Sequence, residues 1–168
     1  MPVERCDECG FDSEEWTDEA ALDAIGRLPA RWSGAIAGLD PDELHRRALP
    51  TMWSIGEYTD HVREVLFAMR FLLDSAVDQP GIDLGDAPEP EFSAVPRALD
   101  TRVALSGLER EAKALRDRLV ELAEPSWSCT AIVGGDELDA HWICRHAVHD
   151  ATHHLGDVRR LRSALREP

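Results

Sequence analysis

Apolar residues recur at helical spacing over four long stretches of the chain. From Thr17 onward Ala21, Leu22, Ile25, Leu28, Trp32, Ile36 and Leu39 fall on one stripe, which predicts a first helix that Pro29 should kink or split. Asp40-Pro41-Asp42-Glu43 joins an N-cap, a proline at the first helical position and an acid behind it. This predicts a short helical turn running to about Arg47. Ser54-x-x-Glu57 is a capping-box sequence, and Tyr58, Val62, Val65, Leu66, Met69, Leu72 and Leu73 line up behind it, so a second long helix is expected over roughly 53–77. A third is expected over about 99–123, with Val103, Leu105, Leu108, Ala112, Leu115, Leu119 and Leu122 facing inward. The fourth follows Asp136, read as its N-cap, and continues through Ile143, Ala147, Ala151, Leu155, Val158, Leu161 and Leu165.

Between these stripes the pattern breaks. Residues 78–97 hold four prolines and two glycines without any period, which predicts a long surface connection able to cross the molecule. Residues 125–138 alternate Trp127, Cys129, Ala131 and Val133 with smaller or polar positions before Gly134-Gly135, which predicts a short extended segment and a tight turn. The first 16 residues lack helical periodicity and read as an irregular arm. Residues 17–168 are then one all-α domain, a four-helix bundle with a long crossover connection.

Composition narrows the function classes. The chain has 168 residues and is 43% hydrophobic, enough for one core. Its formal charge of -15 repels phosphate backbones and anionic lipid, so nucleic acid and membrane are not expected partners. No apolar stretch approaches the roughly 20 residues of a membrane span, and the cysteines are too sparse for a disulfide scaffold. A cytoplasmic protein, with dimerisation through an exposed helix face as a further option, is the expectation.

Five of the seven histidines (His141, His146, His149, His153 and His154) crowd the last helix. Residues four apart lie one above the other, so His149 with His153, or Asp150 with His154, can each present two ligand atoms to one ion. Taking His154 as zero at about 100° per residue, Ala147, Val158 and Leu161 fall within about 40° and Asp150 at about 40°. His153 and His149 lie about 100° and about 140° away, toward solvent. Asp150 and His154 therefore point closer to the core. His61, one turn from Tyr58 and Val65 in the second long helix, is the candidate third ligand. Imidazole and carboxylate suit zinc, nickel, iron or manganese, zinc or nickel first, and three protein ligands leave positions open for water or substrate. His149, His153 and Asp157 remain as alternate ligands or as groups that orient the ligands and carry protons. Glu57 reads as a capping partner of Ser54 before it reads as a base.

Cys6-x-x-Cys9-Gly resembles half of a zinc knuckle. Cys129, Cys144, His141 or His45 could complete a second site, whereas a reversible Cys6–Cys9 disulfide, or an uncommitted pair on a mobile arm, are the rival readings. Cys144 lies on the apolar side of the last helix and is expected to be a buried thiol.

Trp53-Ser-Ile-Gly-Glu57-Tyr-Thr-Asp-His61, the stretch His149-Asp-Ala-Thr-His-His154-Leu-Gly-Asp157 and the helix order together resemble the DinB-like superfamily of metal-binding four-helix bundles, which includes mycothiol- and bacillithiol-linked enzymes. The likeness spans about residues 17–165. It implies a metal triad of His61, Asp150 and His154. Asp150 stands where the family more often has His, although mycothiol-dependent maleylpyruvate isomerases carry Glu there. The resemblance also implies a divalent-metal-dependent enzyme that uses or acts on a low-molecular-weight thiol such as mycothiol, by transfer, isomerisation or hydrolysis. A non-catalytic metal-binding or stress-response module is the alternative. No nucleophile elbow, phosphate loop or dinucleotide fingerprint points to another enzyme class.

Overall fold

The computed structural model describes residues 2–86, Arg97 and 99–166. Four long helices, α1 (Asp18–Ile36), α3 (Ile55–Asp78), α4 (Thr101–Val120) and α5 (Ala140–Ala164), enclose the core, and a short α2 (Pro41–His45) leads into α3. Each of α1 and α3 packs against both α4 and α5. The first long helix therefore lies diagonal to the second. The remainder of the proline-rich connection, residues 87–96 and 98, falls outside the described residues.

Caps set the helix starts. Asp40 accepts from the Glu43 N–H at 2.8 Å while the Glu43 carboxylate accepts from the Asp40 N–H at 2.8 Å, and Ser54 with Glu57 makes the same reciprocal pair for α3. Pro29 does not split α1, which runs unbroken across it. Ala21, Ala24, Ile25 and Leu28 before the proline and Trp32 after it are all buried. Packing on both sides outweighs the ~3 kcal/mol that an interior proline costs. The stripe of α4 is Ala104, Leu108, Ala112, Leu115 and Leu119, whereas Val103 is 68% exposed. At about 100° per residue, Val103 cannot share a face with its neighbour Ala104.

The extended segment is a hairpin, β4 (Ala131–Val133) and β5 (Asp136–Leu138), turned by Gly134 and Gly135 at φ 59° and 87°. Two successive positive φ values make a turn that glycine enters without a Cβ clash. An additional strand, β3 (Ile82–Asp83), pairs parallel to β4 and ties the start of the crossover connection to the hairpin. Asp136 belongs to β5 and does not cap α5. The cap is Asp139, whose carboxylate accepts from the Trp142 N–H at 2.9 Å. Both aspartates precede the apolar stripe, and the strand pairing of Val133 with Asp136 decides between them.

Within the N-terminal arm, β1 (Arg5–Cys6) pairs with β2 (Phe11–Asp12), and this small hairpin lies on α5. Phe11 stacks on the His149 ring at 4.5 Å between centroids, and Arg160 of α5 binds Glu8 at 2.6 Å. Among the described residues no helix is long and apolar enough to cross a membrane.

Candidate metal centre

His61 enters from the second turn of α3, and Asp150 and His154 stand one turn apart on α5. The two elements pack directly, so their side chains meet at the seam. One ligand atom from each of the three lies within 4.8 Å of the others. Asp150 Oδ1 is 3.7 Å from His61 Nε2 and 3.5 Å from His154 Nε2. These distances exceed a hydrogen bond. They come within a few tenths of the ~3.3 Å that separates two oxygen or nitrogen ligands on a tetrahedral ion.

The environment of the three groups fits a cation. Asp150 Oδ2 is buried without a hydrogen-bond partner among the described residues, an arrangement that costs free energy unless something positive stands beside it. Burial pushes the Asp150 carboxyl up, and His61 and His154 more than offset it, so that it titrates below the usual range. His154 Nδ1 is held by Asp157 Oδ2 at 2.8 Å, which leaves Nε2 as the atom free to ligate. Asp157 itself is buried. Burial raises its carboxyl, but His154 and Arg160 bring it below the ordinary value.

Aromatic rings wall the site. Trp53 lies 5.0 Å from the His61 ring and Tyr58 lies 5.0 Å from the His154 ring. Burial, then the Asp157 charge, pushes the Tyr58 phenol up to about 12, so it is a hydrogen-bond donor at neutral pH and not a base. The three candidate ligands keep 14%, 16% and 16% of their side-chain surface exposed. The seam is narrow but reachable from solvent.

Glu57 sits close by in sequence and does other work. Arg47 reaches it with two nitrogens at 2.9 and 2.5 Å, and the backbone N–H groups of Ser54 and Arg97 donate to the same carboxylate. Burial opposes its charge, yet Arg47 and then these amides hold Glu57 down to about 2. A carboxylate so saturated fixes the entry of α3 and is unsuited to accept a proton near neutral pH.

His149 and His153 face a different partner, the N-terminal hairpin. Cys6, Cys9, His149 and His153 form their own group, with one ligand atom of each within 4.8 Å of the rest. Among the described residues, the groups that converge on the cysteine pair are these two histidines. Cys144 is fully buried, and burial pushes its thiol up to about 12. His141 is engaged by Asp18 at 2.8 Å. The arm that carries the cysteines is docked on α5 by the contacts above. Cys6 is pushed down to about 6, first by the Cys9 N–H and then by His149, whereas burial raises Cys9. Glu4 was not foreseen from sequence. Its Oε1 holds His149 Nδ1 at 2.6 Å and His146 Nδ1 at 2.9 Å, a contact across more than 140 residues that no local pattern signals.

Comparison with known proteins agrees with this architecture. No curated protein matches the chain. Among solved structures, YfiT from Bacillus subtilis superposes with a TM-score of 0.75 over 88% of this chain and 87% of its own, at 12% identity. That protein is described as a probable metal-dependent hydrolase with an unusual four-helix bundle topology, and at this identity the likeness speaks to the fold. The sequence model of the DinB superfamily matches residues 24–158, a span that runs from α1 to the helix bearing Asp150 and His154, and the chain accordingly belongs to the DinB superfamily.

Proposed function

We propose that this protein is a divalent-metal-dependent enzyme whose ion is held by His61 Nε2, an Asp150 carboxylate oxygen and His154 Nε2. The observation that carries the reading is the convergence of His61 Nε2 and His154 Nε2 on Asp150 Oδ1, while the other oxygen of that carboxylate, Oδ2, is buried without a hydrogen-bond partner among the described residues. Two neutral imidazoles and one carboxylate are a donor set suited to zinc or nickel, and an ion bound so would retain positions for an exogenous ligand. When bound, such an ion lowers the pKa of a coordinated water or thiol toward neutrality. The protein residues then have separable tasks. Asp157 fixes the His154 ring, and Trp53 and Tyr58 limit water access. The description of YfiT as a probable metal-dependent hydrolase supports metal-dependent chemistry, and the family resemblance supports a small thiol, such as mycothiol, as substrate or cosubstrate.

The test is metal analysis of purified protein beside His61→Ala, Asp150→Ala and His149→Ala. The first two are expected to lose one equivalent per chain relative to wild type. Retention of that equivalent by Asp150→Ala would show the ligand set to be wrong. The thiol is tested by adding mycothiol, bacillithiol or coenzyme A to cobalt-loaded protein. A new thiolate-to-cobalt absorption band is expected with one of them. Silence with all three, together with unfolding on metal removal, would instead favour a non-catalytic metal-binding module.

A further inference from the structure

The hairpin and the side of α5 that it covers carry a second cluster that the reading above does not use. Its spacing is Cys6-x-x-Cys9 on the hairpin and His149-x-x-x-His153 on the helix, the two halves of a Cys2His2 zinc pattern. On a tetrahedral zinc with sulfur at about 2.3 Å and nitrogen at about 2.05 Å, the two ligand atoms stand about 3.6 Å apart. Cys6 Sγ and His153 Nδ1 are 3.6 Å apart.

Each group is prepared in a way that hydrogen bonding inside the protein does not require. His149 Nε2 is buried and has no hydrogen-bond partner within bonding geometry among the described residues, while Glu4 occupies its Nδ1. A carboxylate on one imidazole nitrogen and a metal on the other is the usual way a ligand histidine is oriented. His153 repeats the arrangement in mirror form, with Nδ1 toward Cys6 and Nε2 3.6 Å from Glu8 Oε2. The hairpin presents both sulfurs to one side. Gly10, at φ 73°, lets the chain turn back directly after Cys9, and its N–H donates to the Cys6 carbonyl at 2.8 Å. All four cysteines are free thiols.

We infer that Cys6, Cys9, His149 and His153 form a second, structural zinc site that fastens the N-terminal hairpin to the last helix. Four protein ligands close the coordination sphere, so this ion has no position left for substrate. Two thiolates neutralise the ion, Glu4 holds the outer nitrogen of His149, and the Glu8 carboxylate stands 3.6 Å from that of His153. The site explains how strands of two residues each persist, since a hairpin that short has little stability of its own. It also removes His149 and His153 from competition for the ion at His61, and it stands or falls independently of that centre.

Cobalt titration of the reduced protein tests the assignment. Wild type is expected to develop an intense thiolate-to-cobalt charge-transfer band in the absence of any added thiol. Cys6→Ser combined with Cys9→Ser is expected to lose that band and one equivalent of metal relative to wild type, whereas Asp150→Ala keeps the band. Hydrogen exchange provides a second readout. The Gly10 and Ser13 amides, bonded to the Cys6 and Glu4 carbonyls, are expected to exchange at least tenfold faster in the double variant, with α3 unchanged. No thiolate band in wild type, or a band that survives the double substitution, overturns the proposal. So does a Cys6–Cys9 disulfide that forms at the same rate in zinc-loaded and zinc-free protein.

Discussion

Asp157 Oδ2 lies 2.8 Å from His154 Nδ1, three residues earlier on the same helix, and this one contact decides which imidazole nitrogen faces Asp150. Asp157→Asn removes the charge and lets the ring adopt either tautomer. Metal affinity at the His61, Asp150 and His154 site is expected to fall about 10- to 100-fold, the range seen when such an orienting carboxylate is lost. Chelator competition measures it. Asp157 also pairs with Arg160 at 2.5 Å, so Arg160→Ala serves as the control and should leave the affinity within about twofold.

Glu57 sets an acid limit on stability. Its pKa is depressed from an ordinary value of 4.5 to about 2. The stabilisation is therefore fully present above about pH 4.5 and is lost progressively as pH falls through about 2. Glu57→Gln removes the negative charge that the Arg47 guanidinium and the Ser54 and Arg97 amides bind. Urea unfolding at pH 7 is expected to show a loss of about 3 kcal/mol. The gap between variant and wild type should narrow as the pH is lowered across that window, and a gap that stays constant would show that the charge of Glu57 is not what stabilises.

Gly56 lets α3 pass close to α2 and to the start of α4. A Cβ there would stand 2.6 Å from Thr101 Oγ1 and 3.3 Å from the Leu44 carbonyl oxygen. Alanine is favoured over glycine in a helix by about 1 kcal/mol, but overpacking costs about 1–3 kcal/mol, and one of the obstacles is backbone. Gly56→Ala is expected to be destabilising on balance. A higher thermal midpoint in this variant would mean that α2 or α4 yields easily.

The start of α5 separates two aspartates. Asp139→Ala is expected to cost about 1 kcal/mol as a lost N-cap, whereas Asp136→Ala, at an exposed strand position, should stay within about 0.5 kcal/mol. Equal effects would mean that the hairpin and helix share the boundary differently.

Much of the bundle was legible because its signals are local. Ser54 and Glu57 announce the start of α3 within four residues, and the apolar stripes gave all four long helices. Asp139 was missed because Asp136 satisfies the same local rule, and only pairing with Val133 excludes it. Val103 has apolar chemistry but stands about 140° around the helix from Leu108, and it faces solvent. The two ligand registers on α5 are the more instructive case. Periodicity puts Asp150 with His154 and His149 with His153 on different sides of α5, and the structure sets the first pair against His61 and the second, expected toward solvent, against Cys6 and Cys9. What each face meets depends on α3 and on the N-terminal hairpin, and such distant packing leaves no trace in a helical wheel.

The same distance bears on how the protein is made. Cys6 and His153 are 147 residues apart. At about 5–20 residues per second, the helix that covers the hairpin is synthesised on the order of ten seconds after it. During that interval both thiols have no helix to lie against, and seating of the hairpin waits until α5 has been made.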